Sequence, residues 1–169
     1  LLDSDPSLRP HMHDRIADAL LNRYRSSLED HAHEIVYHLA SGTGNADTSV
    51  HMELLRLAGE HCLAAQDQQR ALGYFERGLS LHRSLHPDSE TDDQAAALSF
   101  GLARARSELN VSDTEQPLAR AFTYYEAAGD AGAAASVASY EMSADWSLLI
   151  DICDRALQLT KPRSTDFAR

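Results

Sequence analysis

Leu55-Arg56-Leu57-Ala58-Gly59-Glu60-His61-Cys62-Leu63, followed by Ala71-Leu72-Gly73-Tyr74-Phe75-Glu76-Arg77-Gly78-Leu79, is the stretch that decides the fold. Leu55, Ala58, Gly59 and Cys62 recur at the three-four spacing of one helix face, and Ala71, Phe75 and Gly78 do the same beyond the turn at Asp67. That spacing specifies amphipathic helices, whereas strands would alternate with a period of two.

The pattern extends outward in both directions and is cut by turn residues every 10 to 20 positions. It predicts eight helices, over 10–24, 28–40, 48–65, 68–85, 92–109, 114–128, 131–142 and 145–159. Met12, Ile16, Ala19, Leu20 and Arg23 mark the repeat in the first helix. Ala32, Ile35, Val36 and Leu39 are the expected inner face of the second, and Val50, Leu54, Leu55, Ala58 and Cys62 that of the third. Glycines in Ser41-Gly42-Thr43-Gly44-Asn45 relieve left-handed strain after the second helix. Asp113 or Thr114 is the expected cap of the sixth helix, with Pro117 tolerated in its first turn, and Gly129-Asp130 stops it. The seventh helix is almost wholly Ala and Ser, which lets neighbours approach closely. Lys161-Pro162 ends the eighth, and Ser164 reads as the cap of another helix.

The hairpin at 55–79 has the spacings of a tetratricopeptide repeat, which it resembles. There, small residues lie where the two helices of a pair meet and large ones fill the gaps. Ala133-x2-Ser136-Val137-x2-Tyr140 and Leu149-x3-Cys153-x2-Ala156 repeat the pattern 78 residues on, or two periods of 39. The expected fold is all-α, a right-handed superhelix of antiparallel hairpins. Residues 1–45 form a leading hairpin; repeats follow at about 46–87, 88–129 and 130–162, and a further helix starts at 163–169.

A broader resemblance covers most of the chain. His13-Asp14-Arg15-Ile16-Ala17-Asp18-Ala19-Leu20 and Glu29-Asp30-His31-Ala32-His33-Glu34-Ile35-Val36-Tyr37-His38-Leu39 look like helices that follow the nucleotide-binding module in large bacterial signalling ATPases of the STAND class. Leu57–Leu63, Gln69–Leu79 and Cys153–Leu159 with Pro162 and Ser164 are similar to later elements of those proteins. Such ATPases often carry a nucleotide cyclase or a LuxR-type DNA-binding domain. The resemblance implies a window cut from a longer repeat array that senses a ligand or partner for an adjoining ATPase module. A free-standing adaptor that scaffolds protein complexes is the alternative.

Composition agrees with helices: Ala and Leu supply 49 residues, while Val, Ile and Thr supply 15. Fifteen Lys and Arg stand against 26 Asp and Glu, a net charge of −11, and Lys161 is the one lysine. Nucleic-acid binding needs clustered cations, so none is expected through this segment. No apolar run approaches the roughly 18 residues of a membrane span. Cys62 and Cys153, without a CxxC, read as reduced thiols of a cytoplasmic protein.

No cofactor is expected. Gly42-Thr43-Gly44-Asn45 lacks the Lys and the preceding strand of a phosphate-binding loop. His31, Glu34 and His38 share one helix face and can meet a zinc ion, the basis of a third reading as a helical metalloenzyme; yet His33-Glu34 to His38 is five positions where the zincin pattern needs four. The family resemblance also places histidines at His31 and His38, which implies hydrogen-bonded packing. No nucleophile-base set is evident, so catalysis is not expected of this segment. Tyr74, Tyr124 and Tyr125 fall at packing positions, and the acidic run 88–93 reads as a solvated loop and helix start. Counting from the repeat phase, the concave face carries Glu53, Arg56, Glu60, Leu63, Leu98, Leu102 and Arg106. These are the candidate contacts for a protein, peptide or small-molecule effector.

Overall fold

The computed structural model describes residues 6–44, 47–87, 91–140 and 146–160. After a short 3-10 turn, Pro6–Leu8, these residues form eight α-helices: α1 (Arg9–Arg23), α2 (Leu28–Ser41), α3 (Thr48–Ala64), α4 (Gln68–Leu85), α5 (Asp93–Glu108), α6 (Glu115–Ala128), α7 (Ala131–Ala138) and α8 (Trp146–Thr160). The fold is all-α. The start of a further helix at 163–169 and the Lys161-Pro162 stop lie outside the described residues.

Aspartates set four of the eight helix starts. Asp47 accepts from the Ser49 and Val50 amides, Asp67 from Arg70, Asp92 from Ala95 and Asp130 from Ala133. Each satisfies an amide that the helix itself leaves unpaired. At α6 the expected cap is corrected: the Thr114 hydroxyl donates back to the Val111 carbonyl at 2.9 Å and caps nothing. Asp113 is in the left-handed region, φ 63°. Three helices end alike. Gln66, Asn110 and Gly129 adopt positive φ, and the next amide reaches back five residues, Asp67 to Cys62, Val111 to Arg106 and Asp130 to Tyr125.

Each helix packs on the next in sequence, and α3 also touches α5, as α6 touches α8. Gln94 near the start of α5 donates to the Ser49 carbonyl near the start of α3, and Arg104 further along meets Glu60. These two helices therefore run side by side in the same direction, with α4 returning behind them. The interior is divided into three apolar clusters in series rather than one centre. Leu54, Leu55 and Ala58 of α3 face α1 and α2, while Cys62 and Leu63 face α4 and α5. Along α5, Ala95, Leu98, Leu102 and Ala105 belong to that middle cluster, whereas Ala96 and Ala103 pack with α6, α7 and α8.

Phe75 of α4 sits at the middle of the stack, fully buried. Its ring lies so close to Gly59 of α3 that a Cβ there would come within 2.6 Å of Cε1 and Cζ, and a Cβ on Gly101 of α5 would overlap the same ring. Gly78, one turn on, admits Leu98 in the same manner. Between α1 and α2 a loop contact does the joining. Asp14 accepts from the Thr43 amide at 3.0 Å and the Thr43 hydroxyl at 2.7 Å, with its carboxylate where a Gly42 side chain would be. Gly42 is needed for that approach, since its φ is −82°, and Gly44, φ +81°, is the one that takes the left-handed turn.

Several expectations need correction. The face of α2 is buried as read, but α1 turns Ala17 inward and leaves Met12 51% and Ile16 38% exposed. Leu20 and Leu21 supply the packing that the Met12–Ile16 stripe does not. Val50 is exposed because it lies in the first turn of α3, beyond the reach of its neighbours. The seventh helix stops at Ala138, with Ser139 as its cap, short of the expected 142. Neither cysteine is bridged: Cys62 is buried and half-buried Cys153 donates to the Ala138 carbonyl.

Two outcomes follow from this packing. Gly59→Ala should lose about 1 kcal/mol or more in urea unfolding, because overpacking costs about 1–3 kcal/mol and outweighs the gain in helix propensity. Gly73→Ala, with open space around its Cβ, should gain about 0.5–1 kcal/mol. The Thr43 hydroxyl bond, with the Thr43 amide, holds the Asp14 carboxyl below its ordinary 3.8. The contribution is then fully present above pH 3.8 and is lost as pH falls through the lower folded value. Asp14→Asn should be the less stable protein at neutral pH and should converge with the parent in acid unfolding below that range.

Candidate functional site

The parallel pair α3 and α5 turns a row of charges outward. Arg56 lies over Glu53 with two hydrogen bonds, Nε to Oε2 at 2.8 Å and Nη2 to Oε1 at 2.6 Å. One turn along, Glu60 accepts from Arg104 Nη1 through both oxygens, at 3.0 and 2.7 Å, tying α3 to α5. The Arg104 guanidinium also stands 5.5 Å from the Phe100 ring and 6.0 Å from that of Tyr140, and the two rings meet edge to face. Tyr140 in turn donates to Glu108 at 3.2 Å. Glu60, Arg104, Glu108 and Tyr140 border a groove of about 260 Å³ between the end of α3 and the residues after α7.

Electrostatics follow the pairing. The Glu53 hydrogen bonds push the Arg56 pKa up against the effect of its partial burial. Burial raises the Tyr140 phenol, and the Glu108 carboxylate adds to it. On the flank towards α6, burial pushes Tyr125 up to about 12, helped by Asp93 and Asp130. Arg56 thus stays cationic at neutral pH, and the Tyr125 and Tyr140 phenols stay neutral. The face therefore offers fixed positive and negative points beside aromatic surface, which suits recognition of a charged partner.

Of the seven residues expected here, Glu53, Arg56 and Glu60 stand on this face. Leu63 is buried and shows the groove only an edge. Leu98 and Leu102 are interior, packed in the cluster around Phe75, and have no side chain to offer a partner. Arg106 points the other way, pairing with Glu76 of α4 at 3.2 Å and donating to the Asp113 carbonyl at 3.1 Å. The cause is the phase. A period of 39 pairs Gly59 with Leu98, but the structure sets Gly59 and Gly101 on the same ring and joins Glu60 to Arg104. The connection into α5 is longer than the period allows, which turns α5 by most of a helical turn. Arg104 and Glu108 were missed for that reason, although Phe100, Arg104 and Glu108 form a stripe at every fourth position, and Tyr140 was missed because the seventh helix was expected to run through it.

His31, Glu34 and His38 are not brought together. His31 stacks on Tyr24 at 3.5 Å, Glu34 is exposed, and His38 Nδ1 meets His13 Nδ1 at 2.9 Å. Among the described residues, no helix is long and apolar enough to cross a membrane. The α3–α5 bridge has a measurable signature: a double-mutant cycle with Glu60→Gln and Arg104→Ala should give a coupling of about 0.5–1 kcal/mol in low salt. It should shrink in 1 M salt, since both partners are partly exposed.

No protein-family model, curated protein or solved structure matches this chain.

Proposed function

We propose that the chain is a non-catalytic helical-repeat segment that recognises a protein, peptide or small-molecule effector and regulates a signal-transduction ATPase or transcriptional regulator of which it is part. The observation that carries this reading is the row of paired charges on α3 and α5, half-exposed beside the Tyr140 ring. A partner carboxylate can take Arg104 from Glu60, and a partner ammonium can take Glu60 from Arg104. The exchange swaps one charge-assisted bond for another, so geometry more than raw attraction selects the partner. Serial cores support the repeat component, because each hairpin leans only on its neighbours. The likeness of 13–20, 29–39, 57–63 and 69–79 to helices of STAND proteins supports the regulatory component.

The test uses the full open reading frame. Where it encodes a nucleotide-binding module, Arg104→Glu should change basal or effector-stimulated ATP hydrolysis about fivefold or more, the low end of allosteric coupling, with helix content unchanged. Hydrolysis that is indifferent to the reversal overturns regulation through this face. A frame without such a module, in which the same variant abolishes a stable complex, supports the adaptor instead.

A further inference from the structure

The corner between α4 and α5 gathers two imidazoles and a carboxylate. His82 lies in the last turn of α4, and His86, four residues on, is the residue that caps the helix, its backbone already turned out of the helical range at φ −126° and ψ 61°. The two ring centroids are 4.9 Å apart. Asp92 comes from the start of α5. Its Oδ1 is committed to the Ala95 amide at 2.9 Å, which aims Oδ2 at His82 Nε2, also at 2.9 Å. His82 is 5% exposed and held by its surroundings, while His86 is exposed. One ligand atom from each of the three lies within 4.8 Å of the others, and among the described residues no other group of three does so.

We propose that His82, His86 and Asp92 form a binding site for a divalent zinc-like cation that clasps the end of α4 to the start of α5. Zinc holds imidazole nitrogen at about 2.0–2.1 Å and carboxylate oxygen at about 2.0–2.2 Å, so ligand atoms around it sit about 3.3–3.5 Å apart. The proton shared by His82 and Asp92 is displaced, and their 2.9 Å separation opens by a few tenths of an ångström. His86, free to turn at the surface, closes the third side. Two neutral nitrogens and one anionic oxygen suit a borderline first-row cation more than calcium or magnesium, which prefer oxygen. The negative end of the α4 dipole also favours a cation there. Three protein ligands leave a fourth position to water. Asp92 then has two tasks, one oxygen capping α5 and the other bound to the ion.

The test is titration of the untagged, chelator-stripped chain with Zn²⁺, and with Co²⁺ for its visible absorption. One equivalent should bind, and free Zn²⁺ at 100 times Kd should raise Tm by about 5–10 °C. His86→Ala and Asp92→Asn should each weaken binding on the order of tenfold or more, while His38→Ala leaves it unchanged. An Asn cap still accepts from Ala95, and His86 is exposed, so both variants should melt within a few degrees of the parent without metal. No stoichiometric binding by the parent chain, or undiminished binding by His86→Ala, overturns the proposal.

Discussion

The Phe75 ring, held between the bare backbones of Gly59 and Gly101, is the contact on which the rest of the stack depends. A phenylalanine on the returning helix can touch two parallel helices at once only if both present no side chain. The two glycines allow that approach at a cost in helix propensity of about 1 kcal/mol each. Burying the ring contributes about 1.5–3 kcal/mol, and the close approach also brings Glu60 within reach of Arg104. The charged face is thus a consequence of an apolar contact on the other side of the same helices.

From this contact the interior extends as a series. α3 and α5 each belong to two clusters, so apolar residues run round these helices and leave little polar stripe on α5. Aspartates at the starts of α3, α4, α5 and α7 complete each helix where it turns, which gives part of the chain's negative charge a structural use. The left-handed residues Gln66 and Asn110 close α3 and α5 in the same geometry although the surrounding sequences differ.

Much of this was legible in the sequence. The boundaries of α2 to α6 follow from three-four periodicity and turn residues, and Ala32, Ile35, Val36 and Leu39 are buried as their spacing required. What a single sequence conceals is rotation about a helix axis. Met12 and Ile16 satisfy the periodic pattern as well as Ala17 and Leu20 do, and only the neighbouring helix decides between them. The same ambiguity, compounded by a hairpin longer than the supposed period, sent Leu98 and Leu102 to the surface in the sequence reading and hid Arg104. His82 and His86 carried a readable four-residue spacing. Asp92, however, joins them only through the fold of the α4–α5 corner.

A series of cores also has a mechanical meaning. Each cluster bridges consecutive hairpins, so pulling the two ends of such a stack apart loads the clusters one after another instead of a single centre. The stiffness of the stack is not uniform. The Phe75 layer, where ring and backbone are in direct contact, resists sliding most, whereas α7 is short and lined with Ala, and bears on α8 through small side chains. Extension should therefore be taken up first towards α7 and α8, leaving the α3–α5 face undistorted under load.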